Sequence, residues 1–166
     1  MLNMNATGVM TGMGAPGNGG GLHITGAGDS NITGGTTNNN TAASEGGGLW
    51  NGSGIMNVDN VTINNNTASG DDADNGGGGI FNNGGTLTVS NGTAISNNIA
   101  DGASASGGGL LSTDGLLSIS NTTMDGNAAN RAGGAIEMID GSMDFTDSEM
   151  TNNDVNGTAG TPAPGN

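Results

Sequence analysis

Few side chains in this sequence could do chemistry, and their grouping narrows what that chemistry would be. Asp59, Asp71 and Asp72 are the tempting carboxylates. A pair of such groups cleaves a glycosidic bond when one protonates the leaving oxygen and the other activates water or attacks the sugar. Sites that cleave polysaccharides also need cations to hold acidic sugars or offset developing charge. Arg131 and His23 are the only candidates, and they stand far apart in the sequence. With one histidine and no lysine there is neither a serine–histidine–aspartate set nor a phosphate loop. The absence of cysteine removes thiol chemistry, disulfides and the usual zinc sites. No enzyme activity is expected. Asp71, Asp72 and Asp74 offer hard oxygens of the kind calcium takes, although their spacing matches neither an EF-hand nor an acidic nonapeptide repeat. Trp50 and Phe81 offer rings on which a sugar could stack.

What positions these residues is an internal repeat. Five times a glycine cluster runs into an aliphatic residue, at Leu22, Leu49, Ile80, Leu110 and Ile136, with spacings of 27, 31, 30 and 26 residues. Such spacing is too regular for chance and too variable for a collagen or heptad fibre, so it points to a solenoid whose loops absorb insertions. A second segment starts at Ser30, Met56, Leu87, Leu117 and Met143, and two residues later stand Ile32, Val58, Val89, Ile119 and Phe145. Apolar residues two apart indicate strands. Seven residues after each start come Thr37, Ile63, Ala94, Met124 and Met150, and ten after it Asn40, Asn66, Asn97, Asn127 and Asn153.

Three short extended pieces per repeat cannot make separate sheets with so small a core, but they can stack. If each repeat is one turn, equivalent strands lie about 4.8 Å apart in parallel register. The expected fold is all-β: a three-sided parallel β-helix of about five to six coils, each of 26–31 residues. Right-handedness follows from the rule for parallel crossovers. One domain over residues 1–156 is expected, with a partial first coil at 1–17, coils starting near 19, 46, 76, 107 and 133, and a flexible Gly/Thr/Pro tail at 157–166.

Three columns of this coil matter for function. Asn40, Asn66, Asn97, Asn127 and Asn153 are expected to form a structural ladder, since Asn tolerates corner angles and stacked amides bond along the axis. His23, Trp50, Phe81 and Leu111, followed by Glu137, should face outward as a stripe that contacts a partner or glycan, or else stack on one another beneath the variable loops. Thr36, Thr62, Thr93 and Thr123, ending in Glu149, form a second outward column; regular threonines on a flat face are similar to those of ice-binding proteins, yet no doubled Thr-x-Thr array follows.

The glycine-aliphatic pattern resembles right-handed parallel β-helix repeats of microbial cell-surface proteins, including polymorphic outer-membrane adhesins with Gly-Gly-Ala-Ile motifs. Gly133-Gly134-Ala135-Ile136 is the nearest match, and the resemblance covers residues 18–156. It implies an extracellular or cell-surface setting and no particular reaction. The catalytic sets of the pectate lyase and polygalacturonase β-helix enzymes have no counterpart here.

Composition sets further bounds. The chain has 166 residues, 36 of them glycine, three aromatic side chains and a net charge of -14. An ordinary globular core is not expected, whereas coils sandwiched between coils can be stable. One cation against fifteen acids argues against nucleic acid and against anionic membranes, and no apolar run is long enough to cross a bilayer. Both ends read as open coil edges, with Leu2, Met4 and Val9 at one end and Met143, Phe145 and Met150 at the other as end contacts. Uncovered parallel strands template more strands. The expected function is therefore a non-catalytic building block of a cell-surface filament or adhesin stalk, stacking head to tail on itself or on neighbouring repeats of a longer parent. The alternatives are a carbohydrate-binding or carbohydrate-cleaving module and an ice-binding protein. No cofactor is expected, calcium being the sole candidate.

Overall fold

The computed structural model describes residues 2–4 and 8–156, with side chains over 8–156. The expected tail at 157–166 and the side chains of Leu2 and Met4 lie outside the described residues. Strands are the only regular element among the described residues, and all named pairings are parallel: the chain is a β-solenoid of about five turns.

Each turn visits three sheets. The first has nine strands, Leu2–Met4, Leu22–Ile24, Ser30–Thr33, Leu49–Asn51, Ile55–Asp59, Ile80–Ser90, Leu110–Ser120, Ile136–Met138 and Ser142–Thr146. The second stacks Val9–Thr11, Thr36–Asn38, Thr62–Asn64, Thr93–Ser96, Thr122–Asp125 and Glu149–Thr151. The third stacks six two-residue strands, Gly14–Ala15, Thr41–Ala42, Thr67–Ala68, Ile99–Ala100, Ala128–Ala129 and Asp154–Val155. Period-two alternation sets what each strand buries. Ile32, Val58, Val89 and Ile119 form one fully buried column, and Met56, Leu87 and Leu117 another. The second complete turn is unbroken in this respect, but the first places Ser30 and Thr37 in the core, and neither hydroxyl finds a partner.

The corner between the second and third sheets is made by residues in the left-handed region: Asn39, Asn65, Asn97 and Asn152 have φ of 55°, 55°, 54° and 52°, and Gly12 and Gly126 fill the same slot at 65° and 66°. Asn and Gly are the residues that enter this region at least cost.

Register corrects the expected columns in the third complete turn. That turn carries one more residue between its first and second sheets, so Ala94 pairs with Thr62 and Ile95 with Ile63. The inward column is Met10, Thr37, Ile63, Ile95, Met124 and Met150, with Ile95 in place of Ala94. The outward column is accordingly Val9, Thr36, Thr62, Ala94, Thr123 and Glu149. Thr93 is buried beside Thr122, its hydroxyl donating to the Ser90 carbonyl at 2.7 Å and accepting from Val61 N–H at 3.2 Å. The same alternation turns Val9 outward and puts Met10 in the core column, so Met10, and not Val9, is the apolar end contact of that strand.

Candidate functional site

The features that could do something beyond filling the rod are its side-chain ladders, the cluster around Trp50, and the faces of its first and last turns. The ladder at the second corner is Asn40, Asn66, Asn98, Asn127 and Asn153. In the first four, Nδ2 donates to the next Oδ1 at 2.9 Å, and the backbone N–H donates to that same oxygen at 3.0–3.1 Å. A second proton of each Nδ2 goes to a carbonyl of the second sheet, as from Asn98 to Ile63 at 3.0 Å and from Asn153 to Met124 at 2.9 Å. Asn98 replaces the expected Asn97, for the reason just given: the inserted residue moves the third turn's buried amide one place on, and Asn97 becomes the left-handed residue before it.

A second amide column runs inside the first sheet and was not expected from sequence. Asn51 Nδ2 donates to Asn82 Oδ1 at 2.8 Å, and Asn82 Nδ2 to Ser112 Oγ at 3.1 Å, all three buried. The signal was weak because the column opens with Ile24 and closes with Met138.

The expected outward stripe is in register but covered. Trp50, Phe81 and Leu111 are 5 %, 2 % and 0 % exposed and form their own apolar cluster. Trp50 and Phe81 stack with centroids 6.0 Å apart and planes 10° apart, and the exposed His23 leans on Trp50 at 4.2 Å and 56°. The indole N–H donates to Glu45 Oε2 at 3.0 Å, while Asn75 Nδ2 donates to Glu45 Oε1 at 3.1 Å, so the inter-coil segments fold over the rings. Of the two arrangements open to the stripe, stacking beneath the loops is the one observed. No ring face of Trp50 or Phe81 is presented to solvent for a sugar.

The acidic candidates do not assemble. Asp71 Oδ1 accepts from Ala103 N–H at 2.9 Å, and Asp59 Oδ2 accepts from Asn91 Nδ2 at 2.7 Å, each tying one turn to the next. Among the described residues no group of three His, Cys, Asp or Glu could hold a metal ion, Asp71, Asp72 and Asp74 included. Arg131 is spent on structure: it donates to the Ser104 and Ala73 carbonyls at 3.2 and 3.0 Å and stands 3.5 Å from Glu137.

The glycine clusters have a geometry of their own. The glycine three residues before each aliphatic residue has positive φ, 67°, 65°, 63°, 63° and 60° at Gly19, Gly46, Gly77, Gly107 and Gly133. That conformation turns successive peptides so that consecutive N–H groups point the same way along the axis, an arrangement known as a nest. Gly107, Gly108, Gly109 and Leu110 donate to the carbonyls of Ala132, Gly133, Gly134 and Ala135 at 2.9, 3.0, 3.1 and 2.8 Å, and the three preceding clusters do the same.

At the faces of the first and last turns the columns end in apolar side chains. Met143 and Met150 are 42 % and 41 % exposed, Phe145 is half-buried, and Met10 is half-buried against the core at the other end. Charge is divided unequally: the last turn carries Glu137, Asp140, Asp144, Asp147, Glu149 and Asp154, while residues 1–28 carry no charged side chain apart from any charge on His23. No protein-family model, curated protein or solved structure matches the chain.

Proposed function

We propose that this protein is a non-catalytic structural rod that assembles end to end, the last turn of one copy receiving the first strands of the next. The observation that carries the reading is the match between the two faces. Leu2–Met4, Val9–Thr11 and Gly14–Ala15 have a turn on one side only, and so do Ser142–Thr146, Glu149–Thr151 and Asp154–Val155, among the described residues. Stacked in the rod's own register, Leu2 and Met4 would follow Met143 and Phe145, Met10 would follow Met150, and Ala15 would follow Val155. Four inward columns then continue apolar, and exposed methionine surface leaves water. Such a contact is heterologous and does not close on itself, so its product is a filament.

Mechanically, parallel ladders of backbone bonds and the Asn column run along the axis and would share load from turn to turn. A cell-surface or extracellular setting is part of the proposal and rests on the resemblance of the glycine-aliphatic repeats to surface β-helices. The carbohydrate alternative loses its platform with the burial of Trp50 and Phe81, and the threonine face is interrupted by Ala94 and Glu149.

Negative-stain electron microscopy over a concentration series tests the assembly. Thin rods that lengthen with concentration are expected, and Met143→Glu with Met150→Glu should reduce them to single particles without lowering the melting temperature appreciably. Single particles at every concentration, or rods indifferent to both substitutions, would refute the proposal.

A further inference from the structure

The last glycine cluster differs from the others in having no turn beyond it among the described residues. The N–H groups of Gly133, Gly134 and Ala135 have no acceptor there, whereas those of the preceding clusters are all bonded. Asn153 adds two more donors. In Asn127 the backbone N–H and one Nδ2 proton go to the following Oδ1 at 3.0 and 2.9 Å, and Asn153 has no such oxygen to meet among the described residues. These groups line one concavity of about 390 Å³, formed by residues 133–137, Met150 and Asn152–153. Donors therefore converge on a space that holds acceptors at every other level of the rod.

Two classes of occupant could supply the acceptors: the carbonyls of another strand, or a compact oxyanion. Ala135 decides between them. At the equivalent Gly21, Gly48, Gly79 and Gly109, an added Cβ would stand 2.6–2.7 Å from the next turn's carbonyl oxygen. Ala135 carries that Cβ, so a strand laid across this corner in the repeat's own geometry would collide with it. An oxyanion held by Gly133, Gly134 and Asn153 needs no backbone over Ala135.

Charge narrows the class further. Glu137 lines the concavity, offset by Arg131 at 3.5 Å, and the last turn carries five further acids. That field disfavours a multiply charged phosphate more than a single carboxylate. We infer that the nest at Gly133–Ala135, completed by the Asn153 amide, is a binding site for a carboxylate monoanion. It is suited to a small carboxylic acid or to the terminal carboxylate of a peptide. The inference does not rest on end-to-end assembly and is tested where the chain is monomeric.

The test follows amide proton and nitrogen shifts by NMR during titration with sodium acetate, with sodium chloride at matched ionic strength as the control and Gly-Gly as the peptide arm. Saturable shifts confined to Gly133, Gly134, Ala135 and Asn153, seen with acetate and not with chloride, are expected. A response to Gly-Gly that is tighter than to acetate would assign the site to peptide termini, and the reverse to small acids. Asn153→Asp keeps an oxygen for Asn127 but places a negative charge in the site, and should abolish the response with the amide spectrum otherwise preserved. Shifts that grow linearly, match those of chloride, or survive Asn153→Asp would overturn the inference.

Discussion

Asn97 and Asn98 are neighbours of one type with opposite jobs. Asn98 is buried; its side chain donates to Asn127 and to the Ile63 carbonyl and accepts from Asn66. Asn97 is exposed and holds φ at 54°. Removing a buried group that satisfies several others strands its partners, so Asn98→Ala should cost about 2–5 kcal/mol. Asn97→Ala should cost about 1–2 kcal/mol from left-handed strain alone, and Asn97→Gly should be close to neutral, because glycine enters that region freely. Urea denaturation at neutral pH checks the order. If Asn97→Ala proved the more damaging, the ladder would run through the wrong residue. In the sequence the two asparagines cannot be told apart by type. The decision was made by one extra residue upstream, which moved Thr93 inward and Ala94 outward as well.

At the scale of strands and corners, the last turn is held to the one before it by side chains as well as backbone. Thr151 Oγ1 and Asn152 Nδ2 both donate to Asp125 Oδ1, at 2.7 and 2.8 Å. The Thr151 hydroxyl first, and the Asn152 amide second, hold the Asp125 carboxyl below its ordinary value of 3.8, against a small opposing effect of burial. A carboxyl lowered on folding lends stability that is complete above the unfolded value and is lost as pH falls through the folded one. Thr151→Val removes the larger cause without changing the charge. It should raise the Asp125 value toward 3.8 and destabilise the last turn above about pH 4, with the difference from the parent vanishing at still lower pH. NMR titration of the Asp125 carboxyl, alongside melting curves at several pH values, reads both effects. The alternating columns behind these strands were legible because Leu, Ile, Val and Met recur two apart at constant distance from the glycines. The cover over Trp50 was not. Alternation says only that its side chain leaves the rod, while the covering contacts come from Glu45, five residues before it, and from Asn75 on the next inter-coil segment, 30 residues from Glu45. The Asn51–Asn82–Ser112 column escaped for a different reason, since amide and hydroxyl do the same work under different letters.

For the whole molecule, the uneven charge decides which contacts between copies are open. Six of the fifteen acids stand in the last turn, and the 28 residues before Asp29, about one turn's worth of chain, hold none. Two last turns brought face to face would oppose twelve carboxylates, counting six from each copy, with two Arg131–Glu137 pairs as the only relief among the described residues. Like charges that close are strongly unfavourable at low salt, and the effect fades as the Debye length falls from about 10 Å at 0.1 M to about 3 Å at 1 M. A first turn meeting a last turn has no such opposition, and neither does a first turn meeting another first turn. The latter pairing is isologous and stops at two copies, whereas the former continues. Sedimentation velocity at low salt therefore distinguishes them. Species growing without limit as concentration rises indicate head-to-tail stacking, and a plateau at the dimer indicates that the uncharged faces have paired with each other. The expected result is continued growth, because only the parallel, in-register contact places Leu2, Met4, Met10 and Ala15 at positions that prolong the four columns ending in Met143, Phe145, Met150 and Val155. A two-fold contact would run the strands antiparallel and lose that registry. Raising salt should then leave the stacking contact largely intact, since it is apolar, while admitting some reversed junctions that low salt forbids, visible as rods in which the two acidic faces meet.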